Sequence, residues 1–219
     1  MVETDTLIRR LAHEAAAVRR LPPPHRRVLG WLMVGLPVIA FFAAVMGARP
    51  DLPVRLREPA FLIPLLAALA TAVCAARAAF ASCVPGSARW WLWLPALPFA
   101  LWLGSLGRQC VQQWLTYGPD GIVFRPDPAC LPIIAMVGAV PAIAMITMVR
   151  RGAPFTPRLT AFLGALAAAA LAYVGLRLVH PQDAAFMVLV WQFGSVAVFA
   201  TVLGAAGRWL LAWRNAAAV

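Results

Sequence analysis

Six apolar runs, each about as long as a bilayer is thick, leave this chain few ways to fold. They occupy residues 28–46, 60–80, 90–106, 131–149, 159–176 and 184–203, the third extending toward Trp114 and the sixth to about Leu211. At ~1.5 Å per helical residue such runs cover roughly 25–32 Å, close to one hydrocarbon core. Lipid offers no partner for a backbone N–H or C=O, so each run must be a helix. Composition agrees: 63% of residues are hydrophobic and 12% charged, against roughly 45–50% and 25% in soluble domains. The first run is not a cleaved signal segment, because it is too long and further spans follow it. The expected fold is an all-α membrane protein, a six-transmembrane-helix bundle with a short cytoplasmic N-terminal amphipathic helix.

That helix lies in the one sizeable stretch that reads as soluble, and it divides the chain into an arm, 1–27, and a membrane domain, 28–219. Thr4 or Thr6 is expected to cap it, with Asp5 favourable near its positive end. Leu7, Ile8, Leu11, Ala15 and Val18 recur on one helical face, while Arg9, Arg10, His13, Glu14 and Arg20 fall mostly elsewhere. Pro22, Pro23 and Pro24 end the helix and act as a stiff spacer. At about four turns it is too short to be stable alone in water, so it needs a surface, either anionic lipid or a protein.

The formal charge of +11 comes from nineteen basic residues, all arginine. Most flank the apolar runs, which makes them topology anchors rather than a nucleic-acid footprint. An inside N-terminus places thirteen on inner segments and six on outer ones, so both termini are expected in the cytoplasm. Pro37, Pro64, Pro95, Pro98 and Pro141 fall inside the runs, where neighbours must satisfy the carbonyls they free. Ala161, Ala165 and Ala169, flanked by Gly164 and Ala168, form a stripe suited to close helix packing.

The chemistry is sparse. No run carries a buried acid, so there is no ion path. There is no phosphate loop and no nucleophile–base pair at a recognisable spacing, so no enzyme is expected. Gln109, Gln112, Gln113 and Gln192 are nearly all the polar residues a transporter could use; Gln192 reads as interhelical glue. Cys74, Cys83, Cys110 and Cys130 form neither a CxxC pair nor a zinc-finger spacing. Cys130 opens the fourth run at the outer face, where His180 and Cys110 also fall. Three roles stay open there: a helix-start cysteine with a capping histidine, a Cys110–Cys130 disulfide, or a metal ion held by Cys130, His180 and Asp127 or Asp183. A thiol–quinone oxidoreductase would need a closely spaced cysteine pair that is missing.

Several short motifs occur in a fixed order: TDTLIRRLA and RRLPPP in the arm, then Gly47-Ala48-Arg49-Pro50-Asp51-Leu52 and Glu58-Pro59-Ala60-Phe61. Arg150-Arg151-Gly152-Ala153-Pro154 and His180-Pro181-Gln182-Asp183 follow. With the six runs, this layout resembles the bacterial membrane anti-sigma factors of the negative regulator of sigma F type. The resemblance implies an inner-membrane protein that holds an extracytoplasmic-function sigma factor and frees it under periplasmic oxidative or metal stress. It implies no direct contact with nucleic acid and leaves a homo-oligomer open. The family's outer cysteine falls on Cys130 and its outer histidine on His180, the implied sensing residues. Many members carry a second cysteine directly after that histidine, where this chain has Pro181. The sigma factor would be held by Leu7, Ile8, Leu11 and Val18 and steered by Arg9, Arg10, Arg19 and Arg20.

Overall fold

The computed structural model describes residues 2–14, 21–118, 130–152, 154–180, 186 and 188–211. Among them there are helices and turns but no strand. Helix α1 spans Val2–Glu14, α2 Pro24–Met46, α3 Leu52–Arg55, α4 Pro59–Ala81, α5 Ala96–Tyr117, α6 Cys130–Arg150 and α7 Pro157–Val179. A π-helical segment, Val188–Phe193, leads into α8, Gly194–Ala205, and α9, Gly207–Leu210, closes the series.

Helix α7 is the axis. Every residue from 163 to 177 is buried, and α2, α4, α6 and α8 pack around it. The expected small-residue stripe explains why they can. In lipid, helices associate by close van der Waals contact, which alanine and glycine permit. Gly164 sits against Met145 and Gly138 against Ala172, while Gly175 is wedged between Val137 and Ile39. Gly204 on α8 lies equally close to Phe162. A helix that is apolar all round is buried all round.

Among the described residues five helices, α2, α4, α6, α7 and the one ending in α8, are long and apolar enough to cross a membrane. The third run departs from expectation. Residues 89–93 form a separate 3-10 turn, and α5 begins only at Ala96 and continues to Tyr117. Pro95 and Pro98 therefore sit at the cap and in the first turn, where a missing N–H costs nothing. Helix α5 packs on α4, but Arg108 and the three glutamines dilute its outer half. The arm differs too. Helix α1 starts at Val2, so Thr4 and Thr6 lie inside its first turns instead of capping it. Asp5 lies in the first turn, where the helix's positive end favours a negative charge. The first span starts four residues early, at Pro24, because a proline fits a helix N-terminus.

The connectors gather at two ends. At the arm end, Ser82 Oγ meets Thr160 Oγ1 at 2.7 Å, Arg150 Nε donates to the Leu210 carbonyl at 2.6 Å, and Gly207 abuts Pro157. At the far end, the Arg49 amide donates to the Leu178 carbonyl at 3.0 Å and Gln109 Nε2 to that of Ala60 at 2.6 Å.

Candidate functional site

The arm presents the first candidate surface. Leu7, Ile8 and Leu11 are 55%, 57% and 58% exposed, a continuous apolar stripe that packs on nothing among the described residues. Arg10 lies beside it and forms an exposed ion pair with Glu14 at 3.0 Å. Val18 falls outside the described residues, as do Ala15 and Arg19–Arg20.

The root of the arm is fixed. Arg27, in the first turn of α2, is buried. Its guanidinium donates to the Met148 carbonyl at the end of α6 and lies over the Phe80 ring, 4.3 Å from its centroid. Cys83 shares this pocket, with its sulfur 3.5 Å from the Ala79 carbonyl and pressed by Gly152. Burial pushes the Cys83 thiol up, and the neighbouring Arg27 charge only opposes that. Sequence reading treated Arg27 as one topology anchor among many. Its place beside an arm–span junction was the available signal.

The far end carries the second candidate. Asp51 takes a bidentate pair from Arg49, at 2.7 and 2.8 Å, and a further bond from Arg55 at 3.0 Å. These two guanidinium groups hold its carboxyl well below the usual carboxylate range. Arg55 also reaches Glu58 at 2.7 Å. Phe61 is flanked by two cations, Arg177 at 4.7 Å and Arg49 at 5.4 Å from its centroid. Between the start of α4, the outer half of α5 and the end of α7 opens a cleft of about 540 Å3, walled by Arg55, Glu58, Gln109, Gln112, Gln113 and Arg177. The glutamines follow helical spacing, so they form one face, and this face looks onto the cleft. This cluster escaped sequence reading, which weighed the arginines as anchors and the glutamines one by one.

Of the two expected sensing residues, His180 caps the end of α7 at this same end, its amide donating to the Leu176 carbonyl at 2.8 Å. Cys130 begins α6. The antiparallel register of α6 on α7 sets Met145 opposite Gly164, Gly138 opposite Ala172 and Val137 opposite Gly175. Continued to the helix ends, that register brings position 130 level with position 180. Asp127 and Asp183 lie outside the described residues. Among the described residues no group of three His, Cys, Asp or Glu side chains comes together, and Cys74, Cys83 and Cys110 are free thiols.

The family model described as negative regulator of sigma F matches residues 11–213, nearly the whole chain. The chain belongs to that family. Comparison with curated proteins gave no match, and comparison with solved structures gave none either. The negative regulator of sigma F match takes in Leu11, Val18, Cys130 and His180 and begins just after Arg10.

Proposed function

We propose that this protein is a bacterial inner-membrane anti-sigma factor. It crosses the membrane six times, with α5 as the third crossing and both termini in the cytoplasm. Its arm sequesters an extracytoplasmic-function sigma factor, and a periplasmic oxidative or metal signal at Cys130 and His180 releases it. The observation that carries this reading is the exposed Leu7–Ile8–Leu11 stripe on α1, flanked by Arg9 and Arg10 and joined through three prolines to a root buried in the bundle. A groove accepting one apolar helix face is a common recognition mode, and Arg9 and Arg10 suit an acidic rim. The family description supports a sigma factor as the partner.

The level register of positions 130 and 180 supports the sensing half. A change there reaches α6 and α7 together, and Met148, in the last turn of α6, holds the arm's root through Arg27. The protein acts by shifting a population between bundle arrangements and performs no catalysis.

The test is co-purification of the full-length protein with the sigma factor. Leu7→Asp with Leu11→Asp is expected to abolish retention while the thermal midpoint stays unchanged; undiminished retention overturns the arm assignment. Cys130→Ser is expected to keep sequestration and lose release by oxidant or metal. Full release from that variant overturns the sensing assignment alone.

A further inference from the structure

Two cavities meet on one flank of the bundle at the arm end. One, about 360 Å3, lies between the connector following α4 and the start of α7, and its wall includes Ser82, Ser87, Arg89, Trp91, Phe155 and Thr156. The other, about 320 Å3, continues between the first turns of α5 and α7, walled by Trp93, Phe99, Leu159, Phe162, Leu163 and Leu166. Leu92 lines both, so they are one feature with a polar mouth and an apolar groove. No acidic residue lines either part. From Leu159 to Leu166 the groove descends roughly 10 Å along a helix long and apolar enough to span a membrane.

The surroundings mark the depth. Trp90 and Trp91 stack at 3.7 Å, the Arg77 guanidinium covers Trp91 at 4.1 Å, and Trp93 is 77% exposed. Indoles and arginines at a helix start belong to the headgroup layer. The mouth therefore opens among phosphates and the groove among acyl chains. Arg89 is exposed at the mouth, where a guanidinium and two hydroxyls suit a phosphodiester. A helix from a second copy would fill the groove and leave Arg89, Ser87 and Thr156 facing nothing anionic.

We propose that this paired cavity binds one anionic phospholipid of the bilayer. Its phosphate sits against Arg89 with Ser87 and Thr156, and an acyl chain lies between Phe99 and Phe162. The site is independent of the sigma-factor reading.

The experiment is native mass spectrometry of the full-length, delipidated protein, titrated with phosphatidylglycerol or with phosphatidylcholine of the same chains. One phosphatidylglycerol per chain is expected to be retained in preference to phosphatidylcholine. Arg89→Ala is expected to weaken phosphatidylglycerol about five-fold, the effect of one cation at a lipid surface, and to weaken phosphatidylcholine less, because its choline already offsets the phosphate charge. Ala96→Trp fills the groove from an exposed position and is expected to abolish retention of both lipids. Equal retention of the two lipids by wild type, an Arg89→Ala titration identical to wild type, or retention by Ala96→Trp each overturns the proposal. A lipid-independent dimer lost in Ala96→Trp overturns it too, because a second copy then fills the groove.

Discussion

Helices α1 and α7 are both rich in aliphatic side chains, and they meet opposite fates. In α7 alanines and two glycines interleave with leucines around the whole circumference, and every residue from 163 to 177 is buried. In α1 they are leucine and isoleucine gathered on one face, and that face is exposed. Small side chains let backbones approach until the helix is enclosed, whereas large ones on one stripe need a groove supplied from elsewhere. The comparison separates residues that hold the bundle together from residues kept available for something outside it.

The sharpest way to break the contrast is to spoil α7. A Cβ on Gly175 would stand 3.0 Å from Val137 and 3.3 Å from Ile39. Gly175→Leu should therefore cost about 3 kcal/mol, the upper range for overpacking, read as a lowered thermal midpoint in detergent. The arm should respond in the other currency. Leu11→Ala should leave that midpoint unchanged and weaken sigma-factor binding by about 2 kcal/mol, the worth of one buried leucine, measured by titration with the purified factor. A stability loss in Leu11→Ala would show that α1 packs on the bundle after all.

Acid probes the loops between the two regions. The carboxyl of Asp51 is depressed in the folded protein, so its stabilisation is present at neutral pH and above the ordinary carboxylate value of about 4. It is lost progressively as pH falls below that value. The midpoint difference between wild type and Asp51→Asn should therefore be constant from pH 7 to 5 and shrink at lower pH. A difference that grows on acidification would invert the assignment. The smallest effect belongs to the arm's own ion pair. Arg10→Ala removes a contact to Glu14 between side chains 77% and 63% exposed, so helicity by circular dichroism should change by no more than about 0.5 kcal/mol.

Much of the bundle could be read from hydropathy alone: four of the six runs are helices near their expected limits, and the sixth, whose expected start lies outside the described residues, is helical from 188 to 205. The third departs from its run, for a local reason. Arg89-Trp90-Trp91-Leu92-Trp93 is apolar in sum but carries large rings followed by Pro95, and it folds into a 3-10 turn. Hydropathy counts such residues as core, while tryptophan favours the interface. The small-residue stripe was legible because glycine and alanine at helical spacing have one main use in lipid. The far-end cluster was not, because Arg49 and Asp51 come from the connector after α2, Arg55 from α3, Phe61 from α4 and Arg177 from α7, and Arg49 and Arg177 meet across Phe61 only after those elements are packed. The same holds for Arg27 with Met148 and Phe80. The stripe on α1 could be read as a face but not assigned a partner, because the partner proposed for it is another chain.

The buried root at Arg27 also sets a radius. Sixteen residues separate it from Leu11, and a fully extended chain covers about 3.4 Å per residue. Anything gripped by the arm therefore stays within roughly 55 Å of the bundle, whatever shape the intervening chain takes. A second touch between that cargo and the bundle's arm-end surface is then no longer a meeting of two free molecules. Its local concentration is fixed by the leash, so even a weak second contact adds to the hold and is lost as soon as the first one lets go.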